Sequence, residues 1–558
     1  MRNYIVLIIF YFQFNLQAQI ELVNMINVED AEIIHSIKDD NKNIYLALEV
    51  PQSAFVIDNV VLHSSARIKP NTGIDQAVFF CVLDSNYHLK FSHQLYGVNN
   101  IDISSLSLLS DGAIYFTVST TGDSLFIEDN LLQFTYSQTS FLLKYEPNFD
   151  SISVLKKFER VGPSDNFIIK ENSDAIYISL NFRPFLRVDS LYLETTGGTS
   201  DYDNVILVLD KSMYQIIDYY YFNGSDAENI YDFVFDEAKN IIVIGDFFGS
   251  FITFLEDTIS NSSIRSGDGF LFKISKTKNV IDKKRISGPG NETPLKVIIQ
   301  KNGSLYILGR FEGPYIQCDK SKLNNLSSNK NIFSLFLDSN DSTINLFQLS
   351  TKNVIRSSGN LIARQSSNLI IGGTFSSDLI INGINYFKAQ GNNYDAFVFL
   401  GGMDLEVGNA FQIGSEDIDH LNFVHQASEK NYLIGGGSRS SNIFFLDSIF
   451  FLKGILKSFL FDVSVKGLVN SKEIRKPKNS LLNIYPNPAS NYLILNHLKQ
   501  EKTNYEIVSI DGKVVNQFSS FLPDEQIIIP IYNFQPGLYK IKAENQKGIR
   551  ITKTFIKQ

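Results

Sequence analysis

The sequence predicts an all-β protein, on three observations. Apolar runs of four to seven residues, rich in Ile, Val, Phe and Tyr, alternate with Asn, Asp, Gly and Ser along most of the chain. The 3.6-residue periodicity of an amphipathic helix is nearly absent. The 45 Phe and 26 Tyr, with 44% hydrophobic and 20% charged residues, supply a large core and exclude a wholly disordered chain.

Residues 1–18 have the features of a secretory signal peptide. Arg2 precedes an apolar stretch from Tyr4 to Phe12, and Ala18 lies where a small residue is expected before the cleavage site. The stretch is too short to span a bilayer, and no later apolar run is long enough for a membrane helix. We therefore expect export by way of the periplasm and no transmembrane segment after signal removal.

Residues 19–465 contain a repeat of about 64 residues. One apolar motif, of the Phe-Leu-Phe type, begins at intervals of 62 to 65 residues, at Val78, Phe141, Val205, Phe270, Phe333, Phe397 and Phe459. A second motif, of the Ile-Tyr-Leu type, recurs at intervals of 62 to 70 residues, at Ile44, Ile114, Ile176, Ile242, Leu305, Leu369 and Tyr432. Self-similarity at a fixed period is the signature of a repeat architecture.

Each repeat is predicted to hold four core strands and an inserted hairpin. Turn dipeptides such as Asp111-Gly112 and Asn302-Gly303 precede most copies of the second motif, and they tolerate the positive φ of tight hairpins. A further hairpin follows that motif, as around Asn382-Gly383.

The phase of the repeats predicts how the set closes. The first repeat is predicted to lack a Phe-Leu-Phe strand. The last such strand begins at Phe459, and no further strand of the repeat comes after it. We expect this last strand to complete the first repeat, which leaves no long exposed sheet edge. The sequence therefore predicts a seven-bladed β-propeller over residues 19–465. An open β-solenoid is the alternative and would need distinct capping repeats.

Three segments carry a resemblance to known repeats. Asp268-Gly-Phe-Leu-Phe-Lys273, Asp395-Ala-Phe-Val-Phe399 and Ile307-Leu-Gly309 resemble the marks of seven-bladed propeller repeats in secreted bacterial proteins. The usual Trp is missing from the chain, and the first three repeats depart further from the pattern. The resemblance predicts the fold but does not indicate a function.

The C-terminal part differs in pattern from the repeats. Residues 466–480 are basic and are predicted to be a linker, and residues 481–558 a small all-β sandwich. Three motifs of this block resemble the C-terminal sorting domain (type A) of the type IX secretion system. They consist of Tyr485, Pro486, Asn487 and Pro488, then Asp511 and Gly512, then Pro536, Gly537 and Tyr539.

This second resemblance implies a partner and a destination. The partner is the type IX export machinery, acting through residues 481–558. The destination is the outer cell surface or the medium, with cleavage of the sorting domain in or near residues 466–480. An ordinary immunoglobulin-like accessory domain is the alternative interpretation of the block.

Charge and cysteine content narrow the classes of partner. Residues 19–465 carry a formal charge of −17, which repels phosphate backbones and excludes nucleic acid as an expected partner. Cys81 and Cys318 lie far apart, without a CxxC motif, and are expected to be two buried free thiols.

No residue is predicted to be catalytic, metal-binding or cofactor-binding. P-loop, GxSxG and HExxH motifs are absent from the sequence. The seven His are scattered and are expected on solvated loops or strand edges. Asp-Ser/Thr-apolar triplets, from Asp123, Asp150, Asp189, Asp257 and Asp447, resemble a bacterial O-glycosylation acceptor but equally suit hairpin turns.

The first functional hypothesis is a non-enzymatic module that binds extracellular protein or polysaccharide. The alternatives are a polysaccharide hydrolase or lyase with its site in the propeller channel, and a structural component of the surface coat. Inward carboxylates with His or Arg at one channel mouth would favour the enzyme. A mouth lined by Ser and Asn would favour binding or a coat role.

Overall fold

The computed structural model divides into two compact units, Met1–Val469 and Asn470–Gln558. It describes residues 19–557 except 52, 65–67, 70–72, 75–76, 98, 128–129, 137, 162–166, 198–200, 264, 326–329, 350, 357–361, 366–367, 382–383, 390–393, 403–407, 429–430, 447, 467–481, 486–491, 498–502, 510–511, 521–525 and 546–549. The expected signal peptide, nearly all of the expected linker and the residues Pro486, Asn487, Pro488 and Asp511 lie outside the described residues.

The first unit is built from strands, which confirms the all-β prediction. The strands from the N-terminus onward are β1 (Gln19–Glu29), β2 (Glu32–Lys38), β3 (Ile44–Val50), β4 (Ala54–Ile57), β5 (Val60–His63), β6 (Ile68–Lys69), β7 (Gly73–Ile74), β8 (Ala77–Leu83), β9 (Leu89–Gly97), β10 (Ile101–Leu108), β11 (Ile114–Thr120), β12 (Ser124–Ile127), β13 (Asn130–Gln133), β14 (Thr139–Glu146) and β15 (Ser151–Val161). They continue with β16 (Ile168–Glu171), β17 (Ala175–Val188), β18 (Leu191–Glu194), β19 (Asp203–Asp210), β20 (Ile216–Gly224), β21 (Glu228–Phe235), β22 (Ile241–Phe247), β23 (Phe251–Phe254), β24 (Asp257–Ser260), β25 (Asp268–Ile274), β26 (Val280–Ser287), β27 (Glu292–Ile299), β28 (Leu305–Phe311), β29 (Tyr315–Cys318) and β30 (Ser321–Asn324). The last are β31 (Asn331–Leu337), β32 (Thr343–Leu349), β33 (Thr351–Arg356), β34 (Ile362–Gln365), β35 (Asn368–Ile381), β36 (Ile384–Lys388), β37 (Tyr394–Gly402), β38 (Gly408–Gly414), β39 (Asp419–Gln426), β40 (Asn431–Ser438), β41 (Asn442–Phe445), β42 (Ser448–Phe451) and β43 (Lys457–Lys466).

The two sequence motifs mark neighbouring strands of one antiparallel sheet in every repeat. The Ile-Tyr-Leu motif forms the second strand and the Phe-Leu-Phe motif the third, in the pairs β3–β8, β11–β14, β17–β19, β22–β25, β28–β31, β35–β37 and β40–β43. The first strands of the repeats, in order, are β2, β10, β16, β21, β27, β34 and β39. The predicted core of four strands is therefore present in the first six repeats.

The inserted hairpins connect successive repeats. Each hairpin follows the second strand of its own repeat but pairs with the fourth strand of the preceding sheet, as β12 does with β9 and β23 with β20. In the third and sixth repeats the second strand and the hairpin strand are continuous, because β17 and β35 each run for 14 residues. Backbone hydrogen bonds therefore join every repeat to its predecessor.

The N-terminal strand completes the last sheet. β1 pairs antiparallel with β43 from Gln19–Lys466 to Glu29–Lys457, with one irregularity between Leu22 and Asn24. The expectation that the last strand completes the first repeat was wrong in its direction. The first repeat already has its own Phe-Leu-Phe strand, β8, and it is the seventh repeat that lacks a fourth strand.

The apolar side chains of the first unit form seven clusters among the described residues, each between two successive repeats. In β3, Ile44, Leu46 and Leu48 contribute to one cluster, while Tyr45 and Ala47 contribute to the next. Because both faces of such a strand are covered, its sequence is a continuous apolar run without polar alternation. One cluster joins β1 and the seventh repeat to the first repeat.

The second unit holds two antiparallel sheets. Its strands are β44 (Leu482–Tyr485), β45 (Tyr492–His497), β46 (Thr503–Ser509), β47 (Val514–Ser520), β48 (Gln526–Pro530), β49 (Gly537–Asn545) and β50 (Arg550–Lys557). One sheet has the order β44-β45-β48 and the other β47-β46-β49-β50. Side chains of both sheets, among them Leu493 and Ile541, share one buried cluster.

Two further expectations concern side chains and membrane segments. Cys81 and Cys318 are both buried and free, as predicted. Among the described residues, no helix is long and apolar enough to cross a membrane.

Replacing Ile26 by Ala tests the role of β1 in the first unit. The Ile26 side chain is 6% exposed and lies in the cluster between the seventh and first repeats. We expect Ile26→Ala to lower the free energy of unfolding by about 2–5 kcal/mol, the usual cost of such a truncation in a core. The matched control is Val23→Ala, because Val23 lies on the same strand but is 52% exposed. Equal urea midpoints for the two variants would contradict the packing described for β1.

Candidate functional site

Acidic side chains collect at one end of the first strands. Glu228, Glu292 and Asp419 begin β21, β27 and β39, and Glu32 begins β2. In an antiparallel repeat the start of the first strand lies beside the end of the second strand and the start of the third. The links between repeats and the inserted hairpins leave from this same edge, which we call the acidic edge.

The first and seventh repeats meet at a carboxylate–histidine contact on this edge. Glu32 Oε1 lies 3.2 Å from His420 Nε2 and accepts a 2.9 Å hydrogen bond from Asn422 Nδ2. The hydrogen bond with His420 lowers the pKa of Glu32 despite partial burial. Both side chains of the pair keep about a third of their surface exposed, so the contact is open to a ligand.

Glu49 is the neighbour of Glu32 across the β2–β3 pairing. Burial, together with the charges of Asp102 and Glu32, raises the pKa of Glu49 to about 7. Two carboxyl groups on adjacent strands thus have pKa values displaced in opposite directions. Such a pair can act as a proton donor and a charged partner at neutral pH.

Polar contacts also join the first strands to one another. Donors from one strand reach backbone or side-chain acceptors on the next in five described contacts: Asn422 Nδ2 to Ile33 O (2.9 Å), His35 to the Ser104 backbone, Ser107 Oγ to Ile169 O (3.0 Å), Lys170 Nζ to Phe233 O (2.5 Å) and Val297 N to Asp232 Oδ2 (3.1 Å). The first strands of consecutive repeats therefore lie side by side and are linked by these polar contacts.

Asp232 is the most completely paired carboxylate of this set. Lys170 Nζ lies 2.5 Å and Lys296 Nζ 3.3 Å from its oxygens. Burial would raise the pKa of Asp232, but the charges of Lys170 and Lys296 outweigh it and lower the pKa. With its oxygens already bonded, Asp232 is suited to holding three repeats together. It is poorly placed for proton transfer.

Buried acid pairs recur where a third strand meets the next first strand. They are Asp203 with Glu228, Asp268 with Glu292, and Asp395 with Asp419. Burial first, and then the partner charge, raises the pKa of Glu228 to about 11, of Glu292 to about 9 and of Asp419 to about 7. Each pair therefore either shares a proton between its two carboxyl groups or needs a cation beside it.

Each pair has one further partner at an equivalent position on the fourth strand. Tyr221 donates to Asp203, Gln412 donates to Asp395, and Arg285 Nε lies 3.7 Å from Asp268. A glycine ends the fourth strand (Gly224) or follows it directly (Gly288), and a Cβ atom there would lie 1.9 and 2.4 Å, respectively, from the following Glu carboxylate. Glycine is required there because the buried carboxylate occupies the space of a side chain.

Neutralising Glu292 should change how stability depends on pH. Its folded pKa, about 9, exceeds the ordinary value of 4.5, so the folded state binds the extra proton between these values. The stabilising effect of that proton is complete at low pH and is lost as pH rises towards 9. Relative to the parent, the free energy of unfolding of Glu292→Gln should therefore rise by at least about 1.4 kcal/mol between pH 5 and pH 9. This is the free energy that corresponds to one pKa unit.

Urea denaturation at the two pH values measures this difference. The matched control is Glu237→Gln, which makes the same chemical change at an exposed turn position. A pH-independent difference between Glu292→Gln and the parent would contradict the burial of an acid pair at this position.

The predicted sorting-motif residues lie in the second unit. Tyr485 ends β44 and pairs with Ile494. Gly512 has φ +88° in the turn between β46 and β47, and Ser509 at that hairpin pairs with Tyr539. Pro536 is exposed immediately before β49, which starts at Gly537.

The register therefore brings two of the three motifs to one end of the four-stranded sheet. Tyr539 itself is 6% exposed, donates its hydroxyl to Gln535 O at 2.8 Å and stacks on Phe555. Its position in the core gives it a structural role.

Several side chains differ from the sequence-based expectation or were missed by it. His93 is 5% exposed and lies 2.8 Å from Asp150, so the expectation of a solvated His is wrong there, whereas His88 is exposed. Burial lowers the pKa of His35 and of His425 to about 4, which keeps both neutral. The acid pairs were not predicted, although the Asp that opens the Phe-Leu-Phe strand at 203, 268 and 395 was a usable signal.

The triplets proposed as glycan acceptors coincide with turns at two positions. Asp150 and Asp189 have φ values of +47° and +51°, as expected for hairpin turns. Ser124 is buried, while Ser151, Ser190 and Thr258 are exposed. Asp447 lies outside the described residues, and glycosylation stays a prediction.

Comparison with known proteins identifies the second unit. Residues 483–558 match the family model of the secretion system C-terminal sorting domain. The chain is a cargo of the type IX secretion system. It is secreted or displayed at the outer cell surface, and its sorting domain implies interaction with the export machinery. The resemblance predicted from the three motifs is confirmed for this domain.

Two solved structures are similar to a larger part of the chain. They are the Pyrococcus horikoshii acylaminoacyl peptidase (uncomplexed) and an acylaminoacyl peptidase in complex with Z-Gly-Gly-Phe-chloromethyl ketone, with TM-scores of 0.39 and 0.38. Each is 9% identical, and the alignments cover 84% of this chain and 58% of the peptidase chain. No curated protein matches the sequence.

Removing residues 481–558 should stop export at the periplasm. The sorting domain implies interaction with the export machinery, so the first unit alone is expected to accumulate inside the outer membrane. Cell fractionation and surface proteolysis measure the distribution. The control Lys540→Gln changes an exposed residue of the domain without removing it and should be delivered normally. Surface delivery of the truncated chain would contradict this role.

Proposed function

We propose that residues 19–466 form a closed seven-bladed β-propeller that binds an extracellular protein or polysaccharide. The pairing of β1 with β43 supports closure, because it gives the seventh repeat the fourth strand that the other repeats supply themselves. The seven apolar clusters give each repeat two covered faces, including the cluster between the seventh and the first. An open solenoid would leave two terminal repeats with an uncovered face.

Exposed apolar side chains on the hairpins are the observation that supports binding. Val61, Leu131 and Tyr192 occupy the same position in the outer strands β5, β13 and β18, and are 54%, 46% and 51% exposed. Phe444 and Phe451 of the β41–β42 hairpin are 38% and 74% exposed. Single exposed apolar residues are common, but recurrence at one position of consecutive hairpins indicates a shared contact surface.

A polymer is the ligand class that suits such a surface. Equivalent sites repeated from hairpin to hairpin can bind a chain at several points, and several weak contacts then add to a useful affinity. Tyr192 also offers an aromatic face and a hydroxyl, the combination that favours both protein and sugar contacts. The edge strands of the hairpins are four residues long, which limits unwanted strand addition.

Acid–base cleavage of a polysaccharide is the second candidate. It is favoured by the opposed pKa displacements of Glu32 and Glu49 beside His420 at the acidic edge. The contact supplies a carboxylate with a nearby His, one part of what an enzyme in the propeller channel would need. In this role Glu49 would donate the proton to the leaving group, and Glu32 would remain charged.

A thermal-shift screen of the exported protein tests the binding proposal. The panel holds soluble polysaccharides and extracellular matrix proteins, and a bound ligand at 100 times its dissociation constant should stabilise the fold by about 2.7 kcal/mol. A triple variant Val61→Ser, Leu131→Ser and Tyr192→Ser should lose the shift. The control triple variant Phe149→Ser, Met213→Ser and Ile281→Ser removes comparably exposed apolar side chains away from the hairpins and should keep it.

Product analysis of the same mixtures separates the two candidates. A binder leaves the polymer intact, and Glu49→Gln then has the affinity of the parent. A hydrolase or lyase releases fragments, and Glu49→Gln abolishes release while retaining binding. A shift that survives the hairpin variant but disappears in the control variant would contradict the proposed surface.

A further inference from the structure

We propose that Asp201, Asp203 and Glu228 form a calcium-binding site between the third and fourth repeats. Asp203 begins β19, and Asp201 lies two residues before it. Glu228 begins β21, the first strand of the next repeat. An ion here would join two repeats through their carboxylates, independently of the polymer-binding surface.

The geometry of the three carboxylates suits one oxygen-coordinated ion. One oxygen from each residue lies within 4.8 Å of the others, and all three side chains are buried. Two ligands on opposite sides of Ca²⁺ are separated by about twice the Ca–O distance of 2.3–2.6 Å. Carboxylate oxygens this close together can coordinate one Ca²⁺ ion. Mg²⁺ usually keeps several waters and takes one or two carboxylates, so three protein carboxylates favour Ca²⁺.

Glu228 is a buried carboxylate without a hydrogen-bond donor of its own among the described residues. It is fully buried, and neither of its carboxylate oxygens accepts a hydrogen bond from described residues outside the cluster. Its Oε1 lies against Gly224, where a Cβ atom would be only 1.9 Å away. A buried carboxylate without partners is costly, and an ion restores the lost interactions.

Asp203 and Asp201 each accept hydrogen bonds through one carboxylate oxygen, and the other oxygen of each accepts none from the described residues. Asp203 Oδ2 accepts hydrogen bonds from Thr196 N, at 3.1 Å, and from the Tyr221 hydroxyl. Asp201 Oδ2 accepts a 2.9 Å hydrogen bond from Gly197 N. Oδ1 of each residue has no partner among the described residues. The backbone therefore fixes both side chains and leaves an oxygen of each available.

The equivalent site one repeat later has a basic side chain beside its Asp, although the oxygens of Glu292 there also lack hydrogen-bond partners among the described residues. There Asp268 has Arg285 Nε at 3.7 Å and accepts two hydrogen bonds from Ser262. At the proposed site the position of Arg285 is taken by Tyr221, which brings no charge. The strongest charges acting on Glu228 are those of Asp203, Asp201 and Asp226, all negative. Three carboxylates without a basic side chain distinguish this site from its neighbour.

The donor set and the location of the protein select calcium. Carboxylate oxygens are ligands for hard cations, and the absence of Cys and His from the cluster disfavours zinc and copper. The protein works outside the cell, where extracellular modules bind Ca²⁺ with dissociation constants of about 10⁻⁴–10⁻³ M.

Calcium titration of the exported protein, stripped with chelator and dialysed, tests the proposal. Isothermal titration calorimetry should give one Ca²⁺ site with a dissociation constant of about 10⁻⁴–10⁻³ M. Glu228→Gln should raise that constant at least about tenfold, because affinity follows the number of charged ligands. Glu292→Gln, the same substitution at the neighbouring pair, should leave it unchanged.

Terbium luminescence gives a second readout that a purely structural role would not move. Tb³⁺ occupies calcium sites and is excited through nearby tyrosine, and the chain contains no Trp. The Tyr221 hydroxyl is bonded to Asp203, so Tyr221→Phe or Glu228→Gln should reduce the sensitised emission and Ca²⁺ should displace it. Asp201→Asn makes the same test should Glu228→Gln fail to fold.

Two results would overturn the proposal. One is a parent protein that gives neither calorimetric heat nor terbium emission at millimolar concentrations of the ion. The other is an unaltered calcium titration in folded Glu228→Gln or Asp201→Asn, which would identify the cluster as a proton-sharing group of acids.

Discussion

The antiparallel pairing of β1 with β43 is the interaction on which the arrangement of the first unit depends. The second and third strands of the repeats are apolar on both faces, so each sheet needs a covered neighbour on either side. Within a linear chain, the first and last sheets would each have one face exposed. The strand from Gln19 to Glu29 belongs to the last sheet by hydrogen bonding, and its apolar side chains share one buried cluster with those of the first sheet.

The inserted hairpins and the polar contacts between first strands also hold neighbouring repeats together. Each hairpin is hydrogen-bonded to the sheet before its own, which makes neighbouring repeats interdependent. At the first strands, the carboxylate of Asp232 in the fourth repeat lies between the ammonium groups of Lys170 in the third and Lys296 in the fifth. Removing one of the two Lys side chains would leave the buried carboxylate less well compensated, which is costly.

The acidic edge follows from the way a repeat begins and ends. The third strand of several repeats opens with an acid, and the next first strand opens with another, so antiparallel pairing brings the two together in a buried place. In the fourth repeat Arg285 balances the pair, and in the sixth Gln412 bonds to it. In the third, Asp201 adds a further negative charge. Repetition of one backbone thus gives sites of different chemistry through single substitutions.

The strand content, the seven repeats, the buried thiols and the sorting domain could all be predicted from the amino-acid sequence, because each is encoded locally. Apolar runs, a fixed period, and motifs such as Asp511-Gly512 and Pro536-Gly537 can be recognised without knowing what they touch. Three features could be seen only in the folded chain: which terminal strand completes the seventh sheet, which sheet each hairpin joins, and which acids meet. Asp203 and Glu228 are 25 residues apart in the chain, and Glu32 and His420 are 388 apart. Their pKa values and partners arise from burial and from contacts between repeats, which no local pattern contains.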